Sequence, residues 1–280
     1  MELPKNIELP FFSYGIFKPG ELGYLSIQDL VQSTEWASVK GNLMIRDGLP
    51  LAFLEGNRNI QGYIVRLKKH SNKEAYQRIV DIEPKYQYRW DTIKIGENFG
   101  EANILAGKQP QRGSVDSDEA FFKGRQDPLF NEGFELIEET ISNYDDGFKA
   151  FLKLQTSYLL LWSIIERYVT IRYNIGSTKI NLKIMFLSQD EYFCSQLKST
   201  VNRTDKIFSA HEPDDKINLD TKNPKSCINY YYQMRSNITH RGKASHQDYE
   251  RLHQSISELY KIMKNTIDNA FNKSESYIDS

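Results

Sequence analysis

Sulfur, net charge and long apolar runs are all scarce in this chain. Two cysteines, Cys194 and Cys227, occur in 280 residues. That excludes a small secreted scaffold stapled by disulfides and leads us to expect a reducing, cytoplasmic setting. The formal net charge is -1, so the chain has no global basic field, and any nucleic acid must meet a local patch. No stretch approaches the roughly 18 apolar residues of a membrane span. The longest candidate, residues 158–165, is ended at once by Glu166 and Arg167. The opening MELPKNIELPFFSYG has no long apolar run behind its charges, so neither a secretory signal nor a membrane partner is expected. There is no Walker-type glycine loop and no Cys-x-x-Cys, and His240, His246 and His253 are too irregularly spaced for a metal site. We expect no cofactor. Internal repeats are absent as well.

What is present is the material of packed cores. The chain is 39% hydrophobic and 12% aromatic, which argues against disorder and, at this length, for one or two domains. The first hundred residues read as short strands rich in β-branched and aromatic residues: 41–45 (GNLMI), 49–56 (LPLAFLEG), 60–67 (IQGYIVRL), 89–95 (RWDTIKI) and 101–107 (EANILAG). Residues 72–82 break that pattern, with Ala75, Ile79, Val80 and Ile82 spaced for a short amphipathic helix. Composition then turns to loop, and afterwards the period becomes helical over 134–144, 148–173, 182–201, 227–241 and 249–271, with a polar loop at 211–224. The expected architecture is α+β: a β-rich domain over 1–108, a linker over 109–132, and an all-helical domain over 133–280.

Residues 230–244, YYYQMRSNITHRGKA, concentrate the chemistry. Ser236 and His240 are four apart and share a helix face, and the long Arg235 side chain can curl toward the same groove. His240 falls in the last turn before Gly242, where a helix C-terminus favours an imidazolium. That suits a proton donor and suits a structural cap equally. Metal-free RNA cleavage needs a base for the 2′-hydroxyl, an acid for the leaving 5′-oxygen and a cation for the phosphorane. One His and one Arg are a minimal kit, which a dimer partner would complete. Lys222, Lys225, Arg235, Arg241 and Lys243 are basic, and no Asp or Glu lies between 222 and 243. Lys225, Tyr231, Arg241 and Lys243 are the candidate RNA contacts, with the tyrosines offering a face to an unstacked base. The same residues fit a packed core with a solvated charged face.

Two phrases stand out in the β-rich part. In FFSYGIFKPGELG (11–23) an apolar segment runs into Tyr14-Gly15 before a Pro19-Gly20 turn. That fits either close backbone approach to a ligand or an ordinary strand end. In AYQRIVDIEPKYQYRW, Glu83 sits between the helix and a strand, as a general base or as a surface residue.

RSNITHRGK resembles the Arg-x4-His signature of HEPN domains, and the resemblance covers about 134–271, including a long preceding helix on which Glu166 would face the motif. It implies a metal-independent, dimeric ribonuclease, often a toxin or phage-defence effector. Arg235 and His240 would be catalytic, with Ser236 and Asn237 orienting them. Residues 11–106 resemble the gamma-glutamylcyclotransferase-like fold through Tyr14-Gly15, Gly41-Asn42-Leu43, Leu49-Pro50-Leu51, Ile60-Gln61-Gly62 and the Asp81, Glu83, Tyr88, Arg89 phrase. That implies a β-barrel in which Tyr14, Gly15, Ile16 and Phe17 bind a gamma-glutamyl group and Glu83 is the acid/base. The chain departs from that pattern at Phe17, at Pro84 and in the Asp81–Glu83 spacing. The combined expectation is a homodimeric HEPN endoribonuclease acting on RNA, with a cyclotransferase-like sensor or regulatory domain. The alternatives are a gamma-glutamyl-amine cyclotransferase with a helical dimerisation domain and a non-catalytic binding module.

Overall fold

The computed structural model describes residues 1–46, 48–82, 87–96, 100–108, 113–117, 121–143, 147–173, 180–209, 214–241 and 248–278, the side chains of His240 and Arg241 excepted. The chain divides into two compact units. The first comprises Met1–Asp127, Thr170–Ser177 and Phe271–Ser280, and the second Pro128–Val169 and Thr178–Ala270.

In the first unit β1 (Phe11–Ser13), β2 (Val31–Lys40), β3 (Asn42–Arg46), β4 (Leu49–Phe53), β5 (Asn59–Leu67), β6 (Tyr88–Lys94), β7 (Glu101–Gly107) and β8 (Val115–Asp116) form one mixed sheet. Its order is β2-β5-β1-β7-β4-β3-β8, with β6 on the other edge of β7. β7 is the fork. β6 pairs with it antiparallel along its whole length, while its second edge is shared by β1, parallel at Asn103, and β4, parallel at Ala106. Among the described residues the ladder is a branched path with ends at β2, β6 and β8, where the sequence led us to expect a barrel. α1 (Asn72–Ile82) buries Ala75, Tyr76, Ile79 and Val80 at the spacing its sequence predicts. β2 was not expected as a strand, because Gln32, Ser33, Thr34, Glu35, Ser38 and Lys40 make it polar; it is held by a nine-pair antiparallel register with β5.

The second unit is helical, with α2 (Glu132–Ser142), α3 (Phe148–Tyr173), α4 (Ile180–Leu187), α5 (Glu191–Thr200), α6 (Pro224–Arg241) and α7 (Tyr249–Glu275). The ends of α3 and α7 fall to the first unit. The single helix expected over 182–201 is two. Asp190 caps α5, its Oδ1 accepting from the Tyr192 and Phe193 amides at 2.8 and 2.9 Å, and a capping aspartate starts a new helix. Nor is the unit all-helical. β9 (Asp205–Phe208) and β10 (Lys216–Leu219) form an antiparallel ribbon, β10 within the stretch 211–224 expected as polar loop, with Ile207 and Leu219 buried. Among the described residues no helix is long and apolar enough to cross a membrane.

Candidate active site on the Arg235 helix

α6 starts where its sequence says it should. Pro224 occupies the first helical position, where its missing N–H costs nothing, and the Asn223 side chain accepts from the Ser226 amide at 3.1 Å. Cys227, Tyr230, Tyr231 and Met234 recur at helical spacing and are buried. Tyr231 is 0% exposed, so it cannot stack on a base; that expectation is corrected. Its hydroxyl instead donates to Glu258 Oε2 at 3.0 Å, and its carbonyl accepts from Tyr158 at 2.8 Å. Arg203 joins the same system. Its guanidinium donates to both Glu258 oxygens at 2.9 Å, to Ser255 and to Asp205. Asp205 also accepts from the Tyr230 hydroxyl at 2.6 Å and from Arg251. Burial pushes the Tyr230 hydroxyl pKa up to about 12 and holds Tyr231 far above its ordinary value, so neither exchanges a proton near neutrality.

One turn later the character of the helix changes. Arg235 is half-buried, its guanidinium carbon 5.8 Å from the centre of the Tyr232 ring, and among the described residues no carboxylate pairs with it. The Tyr232 ring is set edge-on against Trp162 at 5.5 Å. Ser236 is 1% exposed, and its hydroxyl has no hydrogen-bond partner among the described residues. Asn237 donates through Nδ2 to the Phe208 carbonyl at 3.3 Å, while its buried Oδ1 accepts from none of the described residues. Arg235, Ser236 and Asn237 thus share one turn of helix. The side chains of His240 and Arg241, and Lys243 altogether, lie outside the described residues. Lys225 is exposed in the first turn of α6, about 15 Å along the axis from Arg235, so the two do not form one cluster. Glu166, expected to face the motif, is engaged by Lys183 of α4 at 2.7 Å. His253 is bonded to the Ile141 carbonyl at 3.1 Å, and His246 lies outside the described residues.

The loop after β1 is built for packing. The Tyr14 hydroxyl donates to Leu105 O at 2.6 Å and accepts from Ala52 N at 3.1 Å, so it bridges the fork where β1 gives way to β4 beside β7. Gly15 stands against the Pro50 ring, and Ile16 and Phe17 are buried. The cavity that Tyr14, Gly15, Ile16 and Phe17 line measures about 20 Å³, room for about one water molecule. Glu83 lies outside the described residues. Sequence reasoning missed a charged pair just beyond this loop. Lys18 and Glu21 form a buried ion pair at 2.7 Å, with the ammonium 4.1 Å from the Phe121 ring centre. Both Glu21 oxygens accept from the Gly124 amide, at 2.9 and 3.0 Å, and a Cβ on Gly124 would collide with that carboxylate. Burial draws the Lys18 pKa down and the Glu21 pKa up, each against the pull of its partner. The spacing of Lys18 and Glu21, three apart around a Pro-Gly turn, was the only signal of the pair.

No family model and no curated protein matches the chain. Among solved structures, an uncharacterized protein from Pyrococcus horikoshii is similar with a TM-score of 0.32 and 20% identity, over 41% of this chain and 89% of that one. A likeness that slight says nothing of function.

Proposed function

We propose that the chain is a metal-independent endoribonuclease of the HEPN type, acting as a homodimer. The observation that carries this reading is the Arg235 turn: a half-buried guanidinium without a carboxylate partner, followed along the helix by two buried side-chain oxygens, Ser236 Oγ and Asn237 Oδ1, that lack hydrogen bonds among the described residues. Such groups are costly to keep in a fold and are suited to a polar guest. In this reading Arg235 stabilises the charge on the pentavalent phosphorus, and His240 moves a proton between the 2′-hydroxyl and the 5′-oxygen. The second copy's motif supplies the complementary acid or base. Asn237 Oδ1 accepts only, so it would take a proton donor such as a hydroxyl or an imidazolium.

The first unit is assigned a regulatory rather than a catalytic part. Its loop cavity is the size of one water, and the Tyr14 hydroxyl is committed to the sheet. The reading is tested by incubating purified protein with total RNA in chelator. Wild type cuts and sediments as a dimer, whereas Arg235→Ala and His240→Ala do not cut yet remain folded. Uncut transfer, ribosomal and messenger RNA would overturn it. Release of 5-oxoproline from gamma-glutamyl compounds would overturn the assignment of the first unit.

A further inference from the structure

We infer that the β9–β10 ribbon is a binding platform for single-stranded RNA, with Phe208 as the residue on which a base stacks; the inference rests on the ribonuclease reading for its location but not for its test. The ribbon is two-faced. Its register sets Lys216 opposite Phe208 and Asn218 opposite Lys206, so these four side chains share one face. Ile207 and Leu219 point the other way and are buried. Phe208 is 51% exposed, although its neighbours Ile207 and Ser209 are both buried. The Lys216 ammonium lies 5.1 Å from the Phe208 ring centre. Among the described residues neither Lys206 nor Lys216 forms an ion pair, and the outer face carries no carboxylate.

The ribbon lies alongside the motif helix and in step with it. Tyr230 is bonded to Asp205, and Asn237 to the Phe208 carbonyl. From Tyr230 to Asn237 the helix rises about 10 Å, and from Asp205 to Phe208 the strand rises about the same. Phe208 therefore stands at the height of the Arg235 turn along the helix axis. A strand of RNA lying across the ribbon's outer face would meet an exposed ring and two ammonium groups that form no ion pair among the described residues. That is the combination that holds unstacked bases and their phosphates, since any base has a face to stack and lysine meets the backbone. A protein partner is the weaker fit, because lysine is depleted at the cores of protein interfaces. Asp214 and Asp215 stand beyond Lys216 at the tip and would repel a phosphate backbone, so the strand crosses the face rather than the tip.

The test is equilibrium binding of a fluorescein-labelled single-stranded RNA to the His240→Ala protein over a series of salt concentrations. Adding Phe208→Ala should weaken binding about tenfold or more, and Phe208→Trp should restore it. Replacing both Lys206 and Lys216 by Gln should flatten the salt dependence by about 1.4 in the log–log slope. Unchanged RNA binding by Phe208→Ala overturns the inference, the more so if that variant loses the dimer in sedimentation, which would make the ring a protein contact. The two readings separate cleanly. Wild type that cuts RNA while Phe208→Ala binds normally sinks the platform alone. Phe208-dependent binding without cleavage sinks the ribonuclease alone. No binding at all sinks both.

Discussion

Two neighbouring turns of α6 treat their polar atoms in opposite ways. At Tyr230 and Tyr231 both hydroxyls are bonded to carboxylates, and those carboxylates are in turn clamped by Arg203. At Arg235, Ser236 and Asn237 a guanidinium has no carboxylate partner among the described residues and two buried oxygens accept or donate nothing. Both turns belong to one helix and pack in one unit, so burial alone does not explain the difference. An unmade hydrogen bond in the interior costs about 1–3 kcal/mol. The first turn therefore contributes stability, and under the proposed function the second is the one kept for a guest.

The largest effect should come from breaking the satisfied turn. Glu258→Ala takes the bidentate carboxylate from the Arg203 guanidinium and the acceptor from the Tyr231 hydroxyl, which costs about 3–5 kcal/mol. Thermal unfolding should show it as a loss on the order of 10 °C. A variant that melts like wild type would mean the network is decorative and would erase the contrast. The next effect should be of similar energy but of a different kind. Arg235→Ala should lower RNA cleavage by about 10²–10³-fold while leaving the melting temperature within a few degrees. If Arg235→Ala instead unfolds the protein and Glu258→Ala does not, the assignment of roles is reversed.

Much of this contrast was legible in the residues. The bounds of α1 and α3 follow from apolar periodicity, because both helices bury a regular stripe. The stripe Cys227, Tyr230, Tyr231, Met234 was equally regular. It marks Tyr231 as core, but the three consecutive tyrosines beside basic residues suggested a nucleic-acid surface. The ribbon was hidden for a different reason. Each strand is four residues long, and the outer face is Lys206, Phe208, Lys216 and Asn218, so alternation had too little length to show, and β10 falls within 211–224, which reads as polar loop. Lys18 and Glu21 stayed invisible because the group that completes them, the Gly124 amide, is 103 residues away from Glu21. No local pattern announces such a contact. That the Ser236 hydroxyl and Asn237 Oδ1 lack partners among the described residues is a property of packing and could not be read from sequence at all.

A smaller effect comes through pH, and it sharpens the satisfied side. Burial raises the cost of the Asp205 charge, but the Tyr230 hydroxyl, the Lys206 amide and the charges of Arg251 and Arg203 outweigh it, so its carboxyl is held below the ordinary value. A carboxyl depressed on folding contributes stability that is fully present above its unfolded pKa, about 3.9, and is lost as pH falls through the folded value. The gap in urea midpoint between wild type and Asp205→Asn should therefore be full at pH 6 and close as the pH drops below about 4. A gap that stays constant down to acid would show that the carboxylate's charge is not what Arg203 and Tyr230 recognise.

The smallest effect is the most discriminating. Ser236→Ala removes a hydroxyl that is 1% exposed and bonded to nothing among the described residues. Deleting a partnered buried hydroxyl, as in Tyr230→Phe, should cost about 1–2 kcal/mol, because Asp205 loses a short native hydrogen bond. Deleting an unpartnered one removes a penalty instead, and alanine is also the better helix former by about 0.5 kcal/mol. Ser236→Ala should thus be neutral or stabilising by up to about 1 kcal/mol in urea unfolding, while RNA cleavage falls measurably. The two readouts move in opposite directions only if the hydroxyl is kept for a guest. A Ser236→Ala protein that loses more than about 1 kcal/mol has lost a native hydrogen bond, and the turn would then be as structural as its neighbour. A protein that gains stability and cuts RNA as before would leave Arg235 and His240 as the only working groups of the motif.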